Sequence, residues 1–317
     1  MLVATSNSAQ SPLALVELPA RPLRPNDVRV RVHAIGVNPV DWKMREGGPL
    51  RMAYRFVGPS GPLVVGVDFA GEVVEAGTSA DLPIGTRVVG GTDFSRKQLG
   101  SYASEVVVGT DQCARLPDSV SFDQAACLPV AGVTAWISLT DIAHIDRKPN
   151  ARVLVLGASG GVGLAAIQLS KTLGATVVGV CSGKNVALVE RLGATPVDYT
   201  KGDPLEAARG LGPFDLVLHA VGTDLYPLGT CRSLLAKGGV VSLAVVRPSD
   251  ALPIGFLPSV KTVLGKPTRK TLEPIVAAVA SGAFECLIEA KLPLAEAEEA
   301  HQRSRKGKVV GKLLLVP

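Results

Sequence analysis

The sequence predicts an α/β protein in which a doubly wound parallel sheet is inserted into a discontinuous, barrel-like β domain. Two observations predict this arrangement. Between residues 151 and 246, apolar strand-like segments alternate with helical segments, as in a parallel sheet with crossover helices. Before residue 122, short segments of alternating polarity are separated by Gly, Pro and Asp, which is typical of a compact β domain. With 317 residues the chain is long enough for two domains.

The individual elements follow from these patterns. In the first region we expect strands at residues 28–35, 63–77, 86–90 and 102–108, followed by an apolar segment at 125–139. In the second region we expect strands at 153–156, 176–180, 193–197, 214–220 and 239–246, with helices at 184–192 and 225–235. Helices at 270–282 and 294–305 precede a last strand at 309–316. We expect this strand to return to the first domain, so that residues 1–122 and 268–317 form one domain and 123–267 the other.

The turn that begins the second region is the most informative segment. After an apolar strand the chain reads GASGGVG from residue 157, and a helical pattern follows. Ala158 stands at the first position of the G-x-G-x-x-G pattern, and Gly160 and Gly163 stand at the second and third. Such a turn lets a dinucleotide pyrophosphate approach the free N–H groups of a helix N-terminus. Four residues are expected to contact the cofactor there: Ser159, Gly160, Gly161 and Val162.

The end of the second strand of this sheet indicates which dinucleotide binds. NAD-binding proteins carry an Asp or Glu there that bonds the ribose 2′-hydroxyl, whereas this chain has no acid before Glu190. Ser182 can donate a hydrogen bond to a 2′-phosphate, and Lys184 can pair with its charge. Tyr199, after the third strand, is placed to lie along the adenosine. The pattern predicts NADPH, with a helix cap at Ser182 and a solvated Lys184 as the alternative.

Composition argues against several other classes of protein. The net charge is +5, but the Lys and Arg residues are dispersed, and only 4% of residues are aromatic, which argues against nucleic-acid binding. We expect no membrane span and no signal peptide, since the longest apolar stretch is broken and short. Five cysteines without a C-x-x-C spacing suit a reducing cytoplasm. These features predict a cytoplasmic protein that acts on a small molecule.

Five segments resemble the medium-chain dehydrogenase/reductase superfamily, in its zinc-free quinone oxidoreductase branch. They are, in chain order, GVNPVDWK from residue 36, GVDFAGEVVEAG from 66, LPVAGVTAW from 128, ASGGVG from 158 and GKVVGKLLL from 307. The resemblance spans nearly the whole chain and implies a Rossmann sheet inserted in a GroES-like barrel domain. It also implies a homodimer contact at the edge of the nucleotide sheet, where residues 246–266 look compressed relative to relatives.

The zinc enzymes of this superfamily need ligands that the chain lacks. Asn38 stands where they carry a Cys ligand, and Val67 stands where they carry a His ligand. Their four-cysteine lobe would fall between residues 85 and 113, a stretch with one cysteine. A catalytic zinc ion takes three protein ligands, and a structural one takes four. We therefore predict a site without metal.

Without a metal, the acceptor must already be electrophilic, as quinones and enones are. The anion that forms on it needs positioned hydrogen-bond donors rather than a Lewis acid. Asn38 is the best candidate donor. Asp41 and Lys43, expected on the same loop, would hold the ribose or orient the substrate, and Tyr54 would supply a proton. By resemblance Thr134 contacts the nicotinamide ribose; its plainer interpretation is a helix N-cap, and that of the other four is loop structure.

The sequence thus predicts an NADPH-dependent reductase that transfers hydride to quinones or α,β-unsaturated carbonyls. Two alternatives stay open. One is an enoyl-thioester reductase, which needs a groove for a phosphopantetheine arm. The other is a protein that binds NADPH without catalysing a reaction.

Overall fold

The chain leaves its first structural unit after Val130 and returns to it at Lys266 in the computed structural model, which describes residues 1–6, 11–245 and 257–317. The first unit comprises Met1–Val130, Lys266–Ser281 and Cys286–Pro317, and the second comprises Ala131–Gly265 and Gly282–Glu285. The boundaries predicted from sequence, after residues 122 and 267, lie close to the two main crossings. Most of the segment predicted to be compressed, residues 246–256, lies outside the described residues. Within the described ranges, no helix is both long and apolar enough to cross a membrane.

Strands form the sheets of the first unit and the centre of the second. In chain order they are β1 (Leu2–Ser6), β2 (Ala14–Glu17), β3 (Asp27–Val37), β4 (Leu63–Val64), β5 (Asp68–Ala76), β6 (Arg87–Gly91), β7 (Glu105–Gly109), β8 (Cys113–Arg115), β9 (Arg152–Leu156), β10 (Thr176–Cys181), β11 (Thr195–Asp198), β12 (Phe214–His219), β13 (Leu235–Leu243), β14 (Val260–Thr262), β15 (Ile288–Pro293) and β16 (Lys312–Val316).

Helices connect the strands of the second unit and flank those of the first. The described α-helices are α1 (Pro39–Glu46), α2 (Gly48–Val57), α3 (Phe122–Ala126), α4 (Pro129–Ile137), α5 (Gly161–Thr172), α6 (Val186–Arg191), α7 (Pro204–Arg209), α8 (Leu228–Ser233), α9 (Arg269–Ala280) and α10 (Ala297–Arg305).

The second unit is built on a six-stranded parallel sheet in the order β11-β10-β9-β12-β13-β14. Numbered within this sheet, that order is 3-2-1-4-5-6, the order of a doubly wound dinucleotide-binding fold. Leu154 and Leu156 of the central strand are fully buried, because helices cover both faces of such a sheet. The predicted fold class is confirmed.

The first unit is built on a seven-stranded sheet, β15-β16-β3-β5-β6-β8 with β7 paired to β3, and a three-stranded sheet, β2-β1-β4. Along β3, Val30 and Val32 are buried while Arg31 and His33 are exposed, which is the alternation of a strand with one face in the core. The C-terminal strand β16 pairs antiparallel with β3, so the end of the chain completes the sheet that its beginning starts.

Two sequence-based expectations about local structure are wrong. The predicted loop around Asp41 and Lys43 is helix α1, which Asn38 caps: the Asp41 carboxylate accepts the Asn38 backbone N–H at 2.7 Å, and Pro39 occupies the first turn. The helix predicted at residues 225–235 is the shorter α8, because Pro227 precedes its first turn and the chain enters β13 at Leu235.

Replacing Phe214, which lies fully buried at the start of β12, tests the core of the second unit. We expect Phe214→Ala to lower the free energy of unfolding of this unit by about 3–5 kcal/mol, because the ring is lost and a cavity remains. Leu225→Ala is the matched control, since Leu225 is exposed, and should change it by less than about 0.5 kcal/mol. Denaturant unfolding measures both, and equal effects would contradict this view of the core.

Candidate active site

The glycine-rich turn between β9 and α5 leaves space in front of the helix N-terminus. Gly157 has a φ of 90°, a backbone conformation that favours glycine. A Cβ atom on Gly163 would lie 2.2 Å from the Gly157 carbonyl oxygen, so only glycine fits where helix and turn pack together. A Cβ atom on Gly160 would meet nothing closer than 3.6 Å. The space at Gly160 is therefore open, while that at Gly163 is filled by the protein's own backbone.

The residues predicted to contact phosphate lie together at this open end. All four are partly exposed: Ser159, Gly160, Gly161 and Val162. The N-cap of α5 is Gly160, which has no side-chain oxygen to accept the N–H groups of the first helical turn. Those N–H groups and the helix dipole suit an anionic ligand. The turn thus fits a dinucleotide pyrophosphate, both in its space and in its donors.

The predicted adenosine-binding residues lie at the carboxyl ends of β10 and β11. Ser182 follows β10, and Lys184 lies in the exposed turn after it. Lys184 forms no ion pair with any residue that the structure describes. The Tyr199 side chain is about half exposed at 49%, and its backbone N–H bonds the Cys181 carbonyl. These residues are brought to one edge of the sheet, as the order of the strands requires.

Sequence reasoning missed an acid at this edge. Asp198, the last residue of β11, lies so near Gly183 that a Cβ atom there would be 2.7 Å from its carboxylate. One oxygen of Asp198 accepts the backbone N–H and the hydroxyl of Thr200, and these bonds lower the pKa of Asp198. Along the chain, the first acid after β10 is Glu190, whereas the sheet brings Asp198 to this edge from the neighbouring strand.

Thr134 lies inside helix α4 and not at its N-terminus, so the helix-cap interpretation is wrong. The side chain is almost buried, and a Cβ atom on Gly265 would come within 2.7 Å of its hydroxyl oxygen. Its carbonyl accepts a hydrogen bond from the Ser138 hydroxyl at 2.8 Å. Contact with the nicotinamide ribose stays a prediction for this residue.

In the first unit, Asn38 belongs to a buried polar cluster with Asp68 and Lys312. The ammonium group of Lys312 donates to Asn38 Oδ1 at 2.5 Å and to Asp68 Oδ2 at 3.1 Å. Asn38 Nδ2 donates to Asp68 Oδ2 at 2.9 Å and to the Gly36 carbonyl at 3.2 Å. Both amide hydrogens of Asn38 therefore have protein acceptors. To act on a substrate, Asn38 has to give up a bond, and the one to Gly36 is the longer.

Asp68 is fully buried, and its other oxygen accepts the backbone N–H of Val130 at 2.9 Å. Burial raises the pKa of Asp68, and the charge of Lys312 acts against that rise. Lys312 was missed at the sequence level because one lysine in a short strand reads as an exposed residue. One signal of its burial was available in the sequence: Lys312 directly precedes the apolar run LLLV, and such a run indicates a strand with both faces buried.

This cluster does not fit a zinc ion. The oxygen of Asn38 already accepts the Lys312 ammonium, whose positive charge would repel a metal cation at the same place. In the part of the chain that the structure describes, no three His, Cys, Asp or Glu side chains converge on one point as metal ligands. Asn38, which stands where zinc enzymes carry a Cys ligand, instead bonds both members of the ion pair between Lys312 and Asp68.

Asp41 is fully buried, and its Oδ2 accepts from the Asn38 backbone at 2.7 Å and from the Tyr102 hydroxyl at 3.2 Å. Burial is the main cause that raises the pKa of Asp41 to about 8, and the nearby charge of Asp68 adds to it. Asp41 is therefore protonated at neutral pH. Its predicted role in holding the ribose stays a prediction, and the structure shows it enclosed by protein.

The two remaining candidates lie on helices α1 and α2. The Lys43 ammonium group lies 5.5 Å from the centre of the Trp42 ring, and the side chain is half-buried. The Tyr54 ring packs 5.6 Å from that of Phe94, and its hydroxyl is buried without a hydrogen-bond partner among the described residues. Burial raises the pKa of Tyr54, so this hydroxyl keeps its proton at neutral pH.

Comparison with known proteins shows to which family the chain belongs. The alcohol dehydrogenase GroES-like domain matches residues 24–118, and the zinc-binding dehydrogenase domain matches residues 192–315. A chloroplast envelope quinone oxidoreductase homolog from Arabidopsis thaliana is 31% identical over 318 residues, covering 95% of this chain and 93% of the relative.

Two solved structures share the fold over the full chain. The quinone oxidoreductase from Coxiella burnetii is 29% identical, with a TM-score of 0.87 over 100% of this chain and 98% of the other. The Escherichia coli quinone oxidoreductase complexed with NADPH is 25% identical, with a TM-score of 0.80 over 100% and 99%. The chain therefore belongs to the medium-chain dehydrogenase/reductase superfamily, is an oxidoreductase, and has quinone oxidoreductases among its homologues.

Proposed function

We propose that this oxidoreductase uses NADPH to reduce quinones or α,β-unsaturated carbonyls without a metal ion. The observation that carries the proposal is the open glycine turn at the N-terminus of α5, followed by Lys184 in the turn after the next strand, where no described residue forms an ion pair with it. The bound nicotinamide would supply the hydride. One solved relative, the Escherichia coli quinone oxidoreductase, is complexed with NADPH.

The choice of NADPH rests on the balance of charges at the sheet edge. Asp198 would repel a 2′-phosphate, but it is partly exposed to water, and one of its oxygens is engaged by Thr200. Interactions between exposed charges are weakened by water and salt. Lys184 and Ser182 can bond the phosphate directly, and a bond from an ammonium group to a phosphate is stronger than a neutral hydrogen bond.

The choice of acceptor rests on the cluster around Asn38. Because Lys312 occupies the oxygen of Asn38, no Lewis acid can polarise a carbonyl from these atoms. The acceptor must then bring its own electrophilicity, as quinones and enones do. We propose that Asn38 is a hydrogen-bond donor to the reduced acceptor, after its 3.2 Å bond to Gly36 is exchanged. Lys43 and Tyr54 would orient the substrate and donate a proton.

Location and assembly belong to the same proposal. Four of the five cysteines, Cys113, Cys127, Cys181 and Cys231, are free thiols, which suits a reducing cytoplasm. β14 is last in the strand order of the second sheet. We propose that a second copy pairs along that edge, as resemblance to the superfamily implies.

A panel of quinones, 2-alkenals and enoyl thioesters tests the reaction. The purified protein should oxidise NADPH with quinones or enones, and treatment with a strong chelator should leave the rate unchanged. NADPH oxidation with enoyl thioesters alone would favour an enoyl-thioester reductase. NADPH binding without oxidation by any acceptor would favour the non-catalytic alternative, and a rate lost on chelation would contradict the metal-free site.

A matched pair of glycine variants tests the phosphate turn. Gly160→Ala should leave the free energy of unfolding unchanged and raise the Kd for NADPH by about tenfold or more, because the new methyl group fills the ligand's space. Gly163→Ala should unfold the second unit more easily, because its methyl group would meet the Gly157 carbonyl at 2.2 Å. Calorimetry and thermal unfolding separate the two effects. Unchanged NADPH affinity in Gly160→Ala would place the cofactor elsewhere.

Lys184→Ala tests the choice of cofactor. We expect the KM for NADPH to rise about 10- to 100-fold, since one charge-assisted bond is lost. The KM for NADH should change by less than about threefold, because NADH has no 2′-phosphate. Lys237→Ala is the control, an exposed lysine on β13 near the amino end of that strand. Equal changes for the two cofactors would contradict the assignment of Lys184.

A further inference from the structure

Three buried side chains of the first unit form a hydrogen-bonded chain that the proposed hydride transfer does not use. Tyr102 lies in the middle: its hydroxyl is 3.2 Å from Asp41 Oδ2 and 3.1 Å from His301 Nε2. Asp41 belongs to α1, and His301 belongs to α10, so the chain joins two helices through a residue that precedes β7. All three side chains are fully buried.

The two ends of this chain share an unusual property. Asp41 Oδ1 and His301 Nδ1 are both buried, and neither has a hydrogen-bond partner among the described residues. A buried polar atom without a partner costs about 1–3 kcal/mol, so such atoms are rare in native proteins. Here one orphaned atom lies at each end of a continuous hydrogen-bonded path. Each of these atoms can still accept a proton, which none of its described neighbours donates.

The backbone is shaped to admit the central ring. Gly66 has a φ of 102°, and a Cβ atom on it would lie 2.4 Å from Tyr102 Cδ1. The same Cβ atom would lie 2.5 Å from the Ser101 hydroxyl. Only glycine therefore lets the Tyr102 ring reach the position between Asp41 and His301. The ring of Tyr102 also packs against that of His301, with centroids 5.4 Å apart.

We infer that Asp41, Tyr102 and His301 form a proton store and relay, in which a proton enters at His301 Nδ1, is held on Asp41, and leaves from there to the reduced acceptor. This inference rests on the proposed function, because reduction of a quinone or an enone consumes one proton for each hydride. It makes Asp41, in place of Tyr54, the source of that proton. None of the three residues needs to touch the nicotinamide to serve this role.

The proton balance of one refilling step is closed. It starts with an ionised Asp41, a Tyr102 hydroxyl that donates to it, and a neutral His301 whose Nε2–H donates to Tyr102. The Tyr102 proton moves to Asp41 Oδ2, and the His301 Nε2 proton moves to Tyr102. His301 takes up one proton at Nδ1, and because this atom is buried, solvent delivers that proton only when the fold opens locally. Tyr102 and His301 end with as many protons as before, and Asp41 has gained one.

The charges around each end favour these protonation states. Burial and the charge of Asp68 raise the pKa of Asp41 to about 8, while the charge of Lys312 acts against this rise. Tyr102 has a raised pKa, chiefly through burial, and so stays protonated.

At the other end, burial lowers the pKa of His301 to about 4, and the positive charges of Arg45 and Arg305 act in the same direction. The carboxylate of Glu298, which is paired with Arg45 at 2.5 Å, opposes this shift. His301 is therefore neutral at pH 7, as the refilling step requires, and can change tautomer without carrying a lasting charge.

Infrared spectroscopy and a pH–rate profile test the store with Asp41→Asn and a control, Asp118→Asn. Asp118 is a fully exposed carboxyl in the same unit. The wild type and the control should show the C=O band of a protonated carboxyl at neutral pH, and Asp41→Asn should lack it. With the acceptor at saturation, the wild-type kcat should fall as pH rises through about 8. Asp41→Asn should have a kcat lower by about 100-fold and no such fall.

Tyr102→Phe separates storage from refilling. This variant keeps the Asp41 carboxyl, so its infrared band should remain, while kcat falls and the solvent deuterium isotope effect on kcat grows. A wild type without the band, or Asp41→Asn with a wild-type pH profile, would overturn the inference. If the wild type reduces no acceptor, the proposed function fails and the catalytic role of the store fails with it. The infrared band then still decides whether Asp41 holds a proton.

The stability of the protein offers a further test that needs no activity. The pKa of Asp41 is raised from 3.8 to about 8 on folding, so the native state binds a proton that the unfolded state has released. The stabilising contribution is full at low pH and is lost as pH rises through about 8. Between pH 3.8 and about 8, the unfolding equilibrium constant of the wild type should rise with pH more steeply than that of Asp41→Asn, by up to about tenfold per pH unit. Equal slopes in both proteins would contradict a protonated Asp41.

Discussion

The buried ammonium group of Lys312 is the interaction on which the first unit depends. It stands on the last strand and bonds Asn38 at the start of α1 and Asp68 at the start of β5. Moving such charges out of water costs several kcal/mol each, and their attraction repays this only with further hydrogen bonds. Those bonds are present: Asp68 accepts from the backbone of Val130, and Lys312 donates to the carbonyl of Val37. The pair therefore holds three distant segments in one arrangement.

Lys312 is one cation near two buried carboxyl groups, Asp68 and Asp41, and its position determines which of them is protonated. Lys312 lies against Asp68, which can stay ionised, whereas the hydrogen bonds to Asp41 from described residues come only from the Asn38 backbone and the Tyr102 hydroxyl. The charge of Asp68 then raises the pKa of Asp41 further. Like charges that share a site are commonly separated in this way, with one group ionised and the other protonated. The ion pair that fixes the fold thus also sets which carboxyl keeps a proton.

The fold could be predicted from sequence to a large extent, whereas the polar cluster could not. Strands of a sheet covered on both faces are continuous apolar runs, and the glycine turn has a local pattern, so both are visible along the chain. Helix α1 was predicted as a loop, although Asn38 followed by Asp41 three residues later is a capping signature. Lys312 is buried because of Asp68, 244 residues away, and no local pattern reports such a pairing. Asp198 was not predicted for the same reason, because it comes close to Gly183 through the pairing of β10 with β11 and not through the local sequence.

The same physical point links the cluster to the proposed chemistry. A metal ion in an active site stabilises the anion formed on a substrate, and its charge makes a strong proton donor unnecessary. In this chain Lys312 bonds Asn38, the residue at the position where zinc enzymes carry a Cys ligand, and the charge of Lys312 is already balanced by Asp68. It therefore has little charge left for a substrate. An acceptor reduced in such a place must be neutralised by a proton instead, and a protonated carboxyl beside the cluster, supplied through Tyr102 and His301, meets that need.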